Sequence, residues 1–152
     1  MKRFSFVVAI VVGIIGSGFA IADKKNMLEG VKCVVAGTAA AKEENAVDYR
    51  EGKVYFCCTN CPKKFEKDKA AFATKANHQL VATKQYEQTT CPFSGNKLDT
   101  EKNIEVAGTK VSFCCDGCKA KAEKMKDDEK LESVFSEKAF AKAKFVKVEA
   151  KK

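Results

Sequence analysis

Alternating apolar and polar positions occur twice in the chain, each time on both sides of a short turn sequence. Val47-Asp48-Tyr49 and Val54-Tyr55-Phe56 flank a Glu-Gly pair, and Ile104-Glu105-Val106 and Lys110-Val111-Ser112-Phe113 flank Ala107-Gly108. A period of two around a glycine-containing turn is typical of a β-hairpin. The sequence therefore predicts one hairpin in each half of the chain.

A helical pattern follows each predicted hairpin. Pro62 suits the first turn of a helix, and Phe65, Lys69 and Phe72 then fall on one side of it. The counterpart at residues 119–129 is helical by propensity, but Ala122 replaces the large Phe65, so we expect a thinner apolar face and looser packing there. The fold class predicted is α+β, with two small tandem units, each made of a turn, a β-hairpin and a helix.

The remaining segments give weaker patterns. Residues 76–90 join the two units, and the alternation of Leu80, Ala82 and Tyr86 with polar residues favours an extended connection. The C-terminal tail carries apolar residues between positions 134 and 146, which we expect to pack on the second unit. The predicted units are residues 23–78 and residues 79–152, the latter with a C-terminal extension.

The first 22 residues have the pattern of a secretion signal. Lys2 and Arg3 form a basic start, an apolar run follows, and Ala20-Ile21-Ala22 is an A-x-A cleavage site. Three glycines within the run and its ending in small residues favour cleavage over a retained membrane anchor. We therefore expect an exported protein, periplasmic or secreted, with no stable membrane span once residues 1–22 are removed.

Charge and composition exclude several classes of function. Loss of the signal would lower the formal net charge from +8 to +6, with lysines interleaved among acids and Arg50 as the remaining arginine. This composition is typical of a solvated surface rather than a nucleic-acid site. The sequence has a single histidine, His78, and neither a glycine-rich phosphate loop nor a CxxCH haem motif. A non-enzymatic protein is the expectation.

The eight cysteines form two sets of four with nearly the same spacing. The spacings are C-x23-CC-x2-C and C-x22-CC-x2-C, and each first cysteine begins a C-x3-G turn. Thiolates from a turn, a strand end and a helix start would suit a soft ion, Zn²⁺ or Cu⁺. A helix start also favours a thiolate electrostatically, because its free N–H groups lower the thiol pKa. All eight are candidate metal ligands: Cys33, Cys57, Cys58, Cys61, Cys91, Cys114, Cys115 and Cys118.

The motif C-x3-G…Y-x-E-G-K-V-Y-F-C-C-x2-C-x3-F resembles the YHS/TRASH class of metal-binding domains. The resemblance covers about residues 31–75 and 89–126, and it is stronger in the first copy, through Gly52, Tyr55, Phe56, Cys57, Cys61 and Phe65. It implies small zinc-ribbon or treble-clef-like modules whose cysteines coordinate metal in heavy-metal sensing, trafficking or transport. Tandem copies behind a signal also resemble secreted bacterial proteins, notably of planctomycetes. The implied partners are the metal ion and another exported or membrane metal-handling protein.

The chain departs from the family at the first turn. Members with a four-cysteine site carry C-x2-C there, whereas this chain has Ala36 and Ser94 at the second position. Three ligands per site therefore lie in family positions. Cys58 or Cys115 could be the fourth ligand, although successive strand residues point to opposite faces, so a bulge would be needed to bring both inward. Without one, the site is open or three-coordinate, which would suit an exchangeable metal.

Other uses of the cysteines remain open. An exported protein meets an oxidising compartment, where four cysteines per unit could form two disulfides in any of three connectivities. The C-x2-C spacings at Cys58–Cys61 and Cys115–Cys118 also resemble a thiol–disulfide oxidoreductase pair, although no βαβ pattern surrounds them. His78 is expected to be a surface or hydrogen-bonded residue, with completion of a metal site as the alternative.

Overall fold

A computed structural model of the protein describes residues 27–149. The predicted signal at residues 1–22 lies outside the described residues. Within them the fold is mixed α+β, as predicted at that level, with five helices and three two-stranded antiparallel sheets, whereas the zinc-ribbon or treble-clef assignment stays a prediction. The elements in chain order are β1 (Lys42–Tyr49), β2 (Gly52–Phe56), α1 (Asn60–Lys67), α2 (Lys69–Ala82), β3 (Tyr86–Glu87), β4 (Asp99–Val106), β5 (Thr109–Phe113), α3 (Asp116–Glu123), α4 (Asp127–Phe135), α5 (Glu137–Lys142) and β6 (Val146–Lys147).

Both predicted hairpins are present, as β1–β2 and β4–β5. In the first, Tyr49 pairs with Gly52, so the turn is Arg50-Glu51 and begins one residue before the predicted Glu-Gly. In the second, Val106 pairs with Thr109 and the turn is Ala107-Gly108 as predicted. The prediction for the first turn was wrong because the chain places Arg50 rather than glycine in the left-handed region, at φ 54°. Each hairpin also has a register shift in its first strand.

The helical segment after the first cysteine cluster consists of two helices rather than one. Asp68 separates α1 from α2 with a non-helical backbone, and its carboxylate accepts a hydrogen bond from the Ala71 N–H at 3.0 Å. A capping aspartate at this position ends one helix and starts the next. Phe65 and Phe72 therefore lie on different helices, although their ring centroids remain 6.5 Å apart.

The predicted extended connection over residues 76–90 is wrong for most of its length. Helix α2 continues to Ala82, and only Tyr86–Glu87 is extended, paired with β6. Five residues of α2 are buried: Ala73, Ala76, Asn77, Gln79 and Leu80. Two of these five, Asn77 and Gln79, are polar, so the sequence pattern of apolar residues did not reveal the helix.

The helices share one apolar core with the hairpins. A continuous cluster of buried residues includes Phe56 and Phe65 from the first half and Phe113 and Phe135 from the second. The C-terminal tail contributes to it as well, since the rings of Phe140 and Phe145 stack at 4.5 Å. The tail was expected on the second unit, and it also contacts the first, because α4 and α5 pack on α2. The predicted boundary after residue 78 falls within α2.

In the described part of the chain, no helix has both the length and the apolar character that a membrane crossing requires.

A buried amide links the first hairpin to the C-terminal helices. The Asn77 side-chain oxygen accepts from Arg50 Nε at 2.9 Å, and its nitrogen donates to the Phe135 carbonyl at 2.9 Å and to Glu137 Oε1 at 3.2 Å. Arg50 also pairs with the Glu137 carboxylate. Asn77 is fully buried, so water cannot replace these partners if its amide is removed.

We expect Asn77→Ala to lower the free energy of unfolding by about 2 kcal/mol, because it leaves buried polar partners unpaired. Chemical denaturation followed by circular dichroism measures the change. Lys75→Ala, at an exposed position of the same helix, is the control and should change stability by less than about 0.5 kcal/mol. Equal losses in the two variants would contradict the linking role of Asn77.

Candidate metal centres

The first cysteine of each cluster lies in a tight turn closed by glycine. The Gly37 N–H donates to the Cys33 carbonyl at 2.8 Å, and the Gly95 N–H donates to the Cys91 carbonyl at 2.7 Å. Both glycines have a left-handed backbone, with φ of 75° and 77°. A side chain would be strained in that region, which explains the C-x3-G spacing found in both halves.

The second and fourth cysteines of each cluster lie on either side of a strand-to-helix junction. Cys57 directly follows β2 and Cys61 is in the first turn of α1; Cys114 directly follows β5 and Cys118 is in the first turn of α3. In each cluster the two Sγ atoms are 3.7 Å apart. Cys33 and Cys91, from the glycine turns, complete the two groups. In each group all three sulfur atoms lie within 4.8 Å of one another. We name these groups triad 1 (Cys33, Cys57, Cys61) and triad 2 (Cys91, Cys114, Cys118).

The separation between the strand-end and helix-start sulfur atoms fits metal coordination. A tetrahedral ion with metal–sulfur bonds of about 2.3 Å places its sulfur ligands roughly 3.8 Å apart. The observed 3.7 Å separations are close to this value. A disulfide requires about 2.05 Å, and all eight cysteines, each within the described residues, are free thiols. Three converging soft donors can therefore hold a soft ion in either triad.

Two glutamine amides hold the segments that lead into the C-x3-G turns against the hairpins. Gln79 Nε2 donates to the Lys32 carbonyl at 2.8 Å and the Tyr55 carbonyl at 3.0 Å, and its Oε1 accepts from the Tyr55 N–H at 2.6 Å. Lys32 precedes Cys33, and Tyr55 lies two residues before Cys57. The amide of Gln79 thus joins the segments that carry two members of triad 1.

Gln88 has the same role beside triad 2. Its Nε2 donates to the Thr90 carbonyl at 3.0 Å and the Ser112 carbonyl at 2.9 Å, and its Oε1 accepts from the Ser112 N–H at 3.0 Å. The sequence analysis missed both glutamines. Gln79 follows its cysteines in the chain and Gln88 precedes its own, so the matched spacing of the two halves contained no signal for them.

Cys58 and Cys115 lie outside the triads. Both are exposed. The Cys58 Sγ is 3.5 Å from the Cys61 Sγ, and the Cys115 Sγ is 3.7 Å from the Cys114 Sγ. Each exposed thiol thus contacts a triad on its solvent side. Their use as a fourth ligand stays a prediction.

Backbone N–H groups favour the thiolate form of the two buried cysteines in the C-x3-G turns, Cys33 and Cys91. Burial opposes ionisation of Cys33, but N–H groups including that of Ala36, 3.4 Å from the sulfur, outweigh it and lower its pKa. Burial likewise opposes ionisation of Cys91, but the Ser94 hydroxyl and several N–H groups lower its pKa to about 6. The Ser94 hydroxyl also lies 3.1 Å from the Cys114 Sγ, a contact that Ala36 cannot make in the first cluster.

The helix-start cysteines do not follow the expectation of a lowered pKa. Burial and hydrogen bonds to neighbouring thiols raise the pKa of Cys61, and the same causes raise that of Cys118 to about 12. The helix-start effect instead acts on Cys58, whose pKa is lowered to about 7 by the N–H groups of Asn60 and Cys61. Each triad therefore combines a turn thiol of lowered pKa with a helix-start thiol of raised pKa, and a bound cation would displace the proton that the helix-start thiol holds.

His78 belongs to neither triad. Its Nε2 lies 3.0 Å from the Thr109 hydroxyl, and its ring packs edge-on against Phe135 with centroids 5.0 Å apart. Burial lowers its pKa. His78 is thus a hydrogen-bonded residue of the interface between α2 and β5.

Comparisons with protein-family models, with curated proteins and with solved structures found no match to this chain.

We expect Gln79→Ala to destabilise the protein by about 2 kcal/mol, because the buried Tyr55 N–H loses its partner. Gln79→Glu should be comparably harmful, since a carboxylate cannot donate to the two carbonyl groups. Urea denaturation measures both, with exposed Glu87→Ala as the control. Wild-type stability in Gln79→Glu would show that donation by this amide is not needed.

Proposed function

We propose that this protein is an exported, non-enzymatic metal-binding protein that holds Zn²⁺ or Cu⁺ through cysteine thiolates. Its role would be metal buffering, delivery or sensing outside the cytoplasm. The convergence of three sulfur atoms within 4.8 Å, at two places in one small chain, carries this proposal. Thiolates are the ligands that zinc and copper(I) favour in proteins.

The ligands of each triad come from three separate segments, a turn, a strand end and a helix start. A bound ion would therefore join parts of the fold as well as occupy a site, and its binding energy would add to folding stability. Cys33 is 1% exposed, whereas Cys57 is half-buried on the solvent side. Three ligands with one open side favour a metal that can be exchanged over a permanently enclosed structural ion.

Membership of the YHS/TRASH class is part of the proposal. It is supported by the motif around each triad and by the placement of ligands on a glycine turn, a hairpin and a helix start. The same proposal includes tandem units, a cleaved signal and another exported or membrane metal-handling protein as partner.

Structural disulfides are the alternative use of these cysteines. Pairing two members of a triad would leave the third without a partner in that triad, and closing 3.7 Å to a bond length would require the side chains to move. The alternative is tested by titrating thiols in the natively isolated, metal-stripped protein under denaturing conditions. We expect close to eight reactive thiols; a count near zero would establish disulfides instead.

Metal content tests the proposed function directly. We expect the reduced protein, purified without oxygen, to retain about two equivalents of zinc or copper by mass spectrometry, one per triad. Cys57→Ser and Cys61→Ser should each lose one equivalent and destabilise the protein by several kcal/mol. Cys58→Ser, outside the triads, is the matched control and should retain both. Less than half an equivalent in the wild-type protein would overturn the proposal.

A further inference from the structure

We propose that Cys58 and Cys61 form a thiol–disulfide exchange site whose substrate is an anionic low-molecular-weight disulfide. This activity is separate from metal binding, because it needs only the two thiols. Its consequence for a bound metal ion, described below, rests on the proposed function.

The geometry gives the two thiols different roles. Cys58 is exposed, whereas Cys61 is 8% exposed and lies in the first turn of α1. An incoming disulfide can therefore reach Cys58 but not Cys61. The two Sγ atoms are 3.5 Å apart, so the buried thiol is in position to attack a mixed disulfide formed on the exposed one.

Charge favours an anionic substrate. The first turn of α1 contains no acidic residue, and exposed Lys63 and Lys64 follow Cys61 after Pro62. In the second cluster, Asp116 directly follows the exposed Cys115 and pairs with Lys102 at 2.9 Å. A disulfide that carries carboxylates is thus attracted to the first cluster more than to the second.

The exchange proceeds in two steps. The Cys58 thiolate attacks one sulfur of R–S–S–R, forming a Cys58–S–S–R bond and releasing one RS⁻. The Cys61 thiolate then attacks the Cys58 Sγ, forming the Cys58–Cys61 disulfide and releasing the second RS⁻. Two protons pass from the cysteines to the leaving thiolates, so two cysteine thiols are oxidised and R–S–S–R is reduced to two RSH.

Cys61 is shared between the exchange pair and triad 1. Its Sγ is 3.5 Å from that of Cys58 and 3.7 Å from that of Cys57. A disulfide to Cys58 removes Cys61 as a ligand and leaves triad 1 with two thiols. If triad 1 holds a metal ion, exchange therefore releases it, and a metal ion in triad 1 slows exchange.

Differential alkylation of the metal-free, reduced protein tests the exchange without reference to metal. The protein is incubated with glutathione disulfide, its free thiols are blocked with one mass label, and its oxidised thiols are reduced and given a second. We expect the second label on Cys58 and Cys61 and the first on Cys57. Oxidation of Cys57 with Cys61, or no oxidation, would overturn the proposal.

Variants test the assignment further. Cys58→Ser and Cys58→Ala should slow oxidation of Cys61 at least tenfold, whereas Cys115→Ser, the matched change in the second cluster, should leave it unchanged. Hydroxyethyl disulfide, which is neutral, should react more slowly than glutathione disulfide at low salt. Equal rates would overturn the anionic assignment, and unchanged oxidation in both Cys58 variants would overturn the site.

Zinc-loaded protein tests the consequence for metal. We expect glutathione disulfide to release one equivalent into a chromogenic chelator from the wild-type protein, and Cys58→Ser to retain that equivalent. Release that is equal in the two proteins would contradict the coupling. A protein that binds no zinc at all would instead contradict the proposed function, while the alkylation pattern would still decide the exchange.

Discussion

The structure depends on sulfur atoms brought together from distant parts of the chain. In each half, a glycine turn, the end of a strand and the start of a helix deliver one thiol apiece to a common point. Cys33, Cys61 and Cys91 pack in the apolar core, and side-chain hydrogen bonds also hold each turn against its strand. The amides of Gln79 and Gln88 make those bonds, each joining the residue before the first cysteine to the strand that carries the second.

The rest of the fold supports the two cysteine triads. Helix α2 supplies Gln79 on one face and packs on α4 and α5 with another, so the first triad and the C-terminal tail share one framework. A continuous cluster of buried residues connects the hairpins of both halves. A molecule of this size buries a limited apolar core, and metal binding at two points would add stability that the core alone does not supply.

Much of this arrangement could be predicted from the sequence, because turn chemistry and thiol spacing are local signals. Both hairpins, the C-x3-G turns and the cysteines that form the two triads follow from them. The single helix after Cys61, the first turn sequence and the extended connection over residues 76–90 were wrong. These errors arise from polar residues and from contacts between distant parts of the chain. They are an aspartate cap at position 68, Arg50 with positive φ, and buried Asn77 and Gln79, whose partners lie far away in sequence. The spacing of apolar residues does not reveal buried polar residues, which are buried with all their hydrogen bonds made.

The two clusters also differ in ways that matched spacing concealed. Ser94 contacts a triad thiol where Ala36 cannot, and the exposed fourth thiol contacts a different neighbour in each cluster. The central claim, that three thiolates in each half share one metal ion, is tested most directly by X-ray absorption at the edge of the bound metal. We predict a first shell dominated by about three sulfur atoms near 2.3 Å. A first shell made only of oxygen and nitrogen would contradict the account.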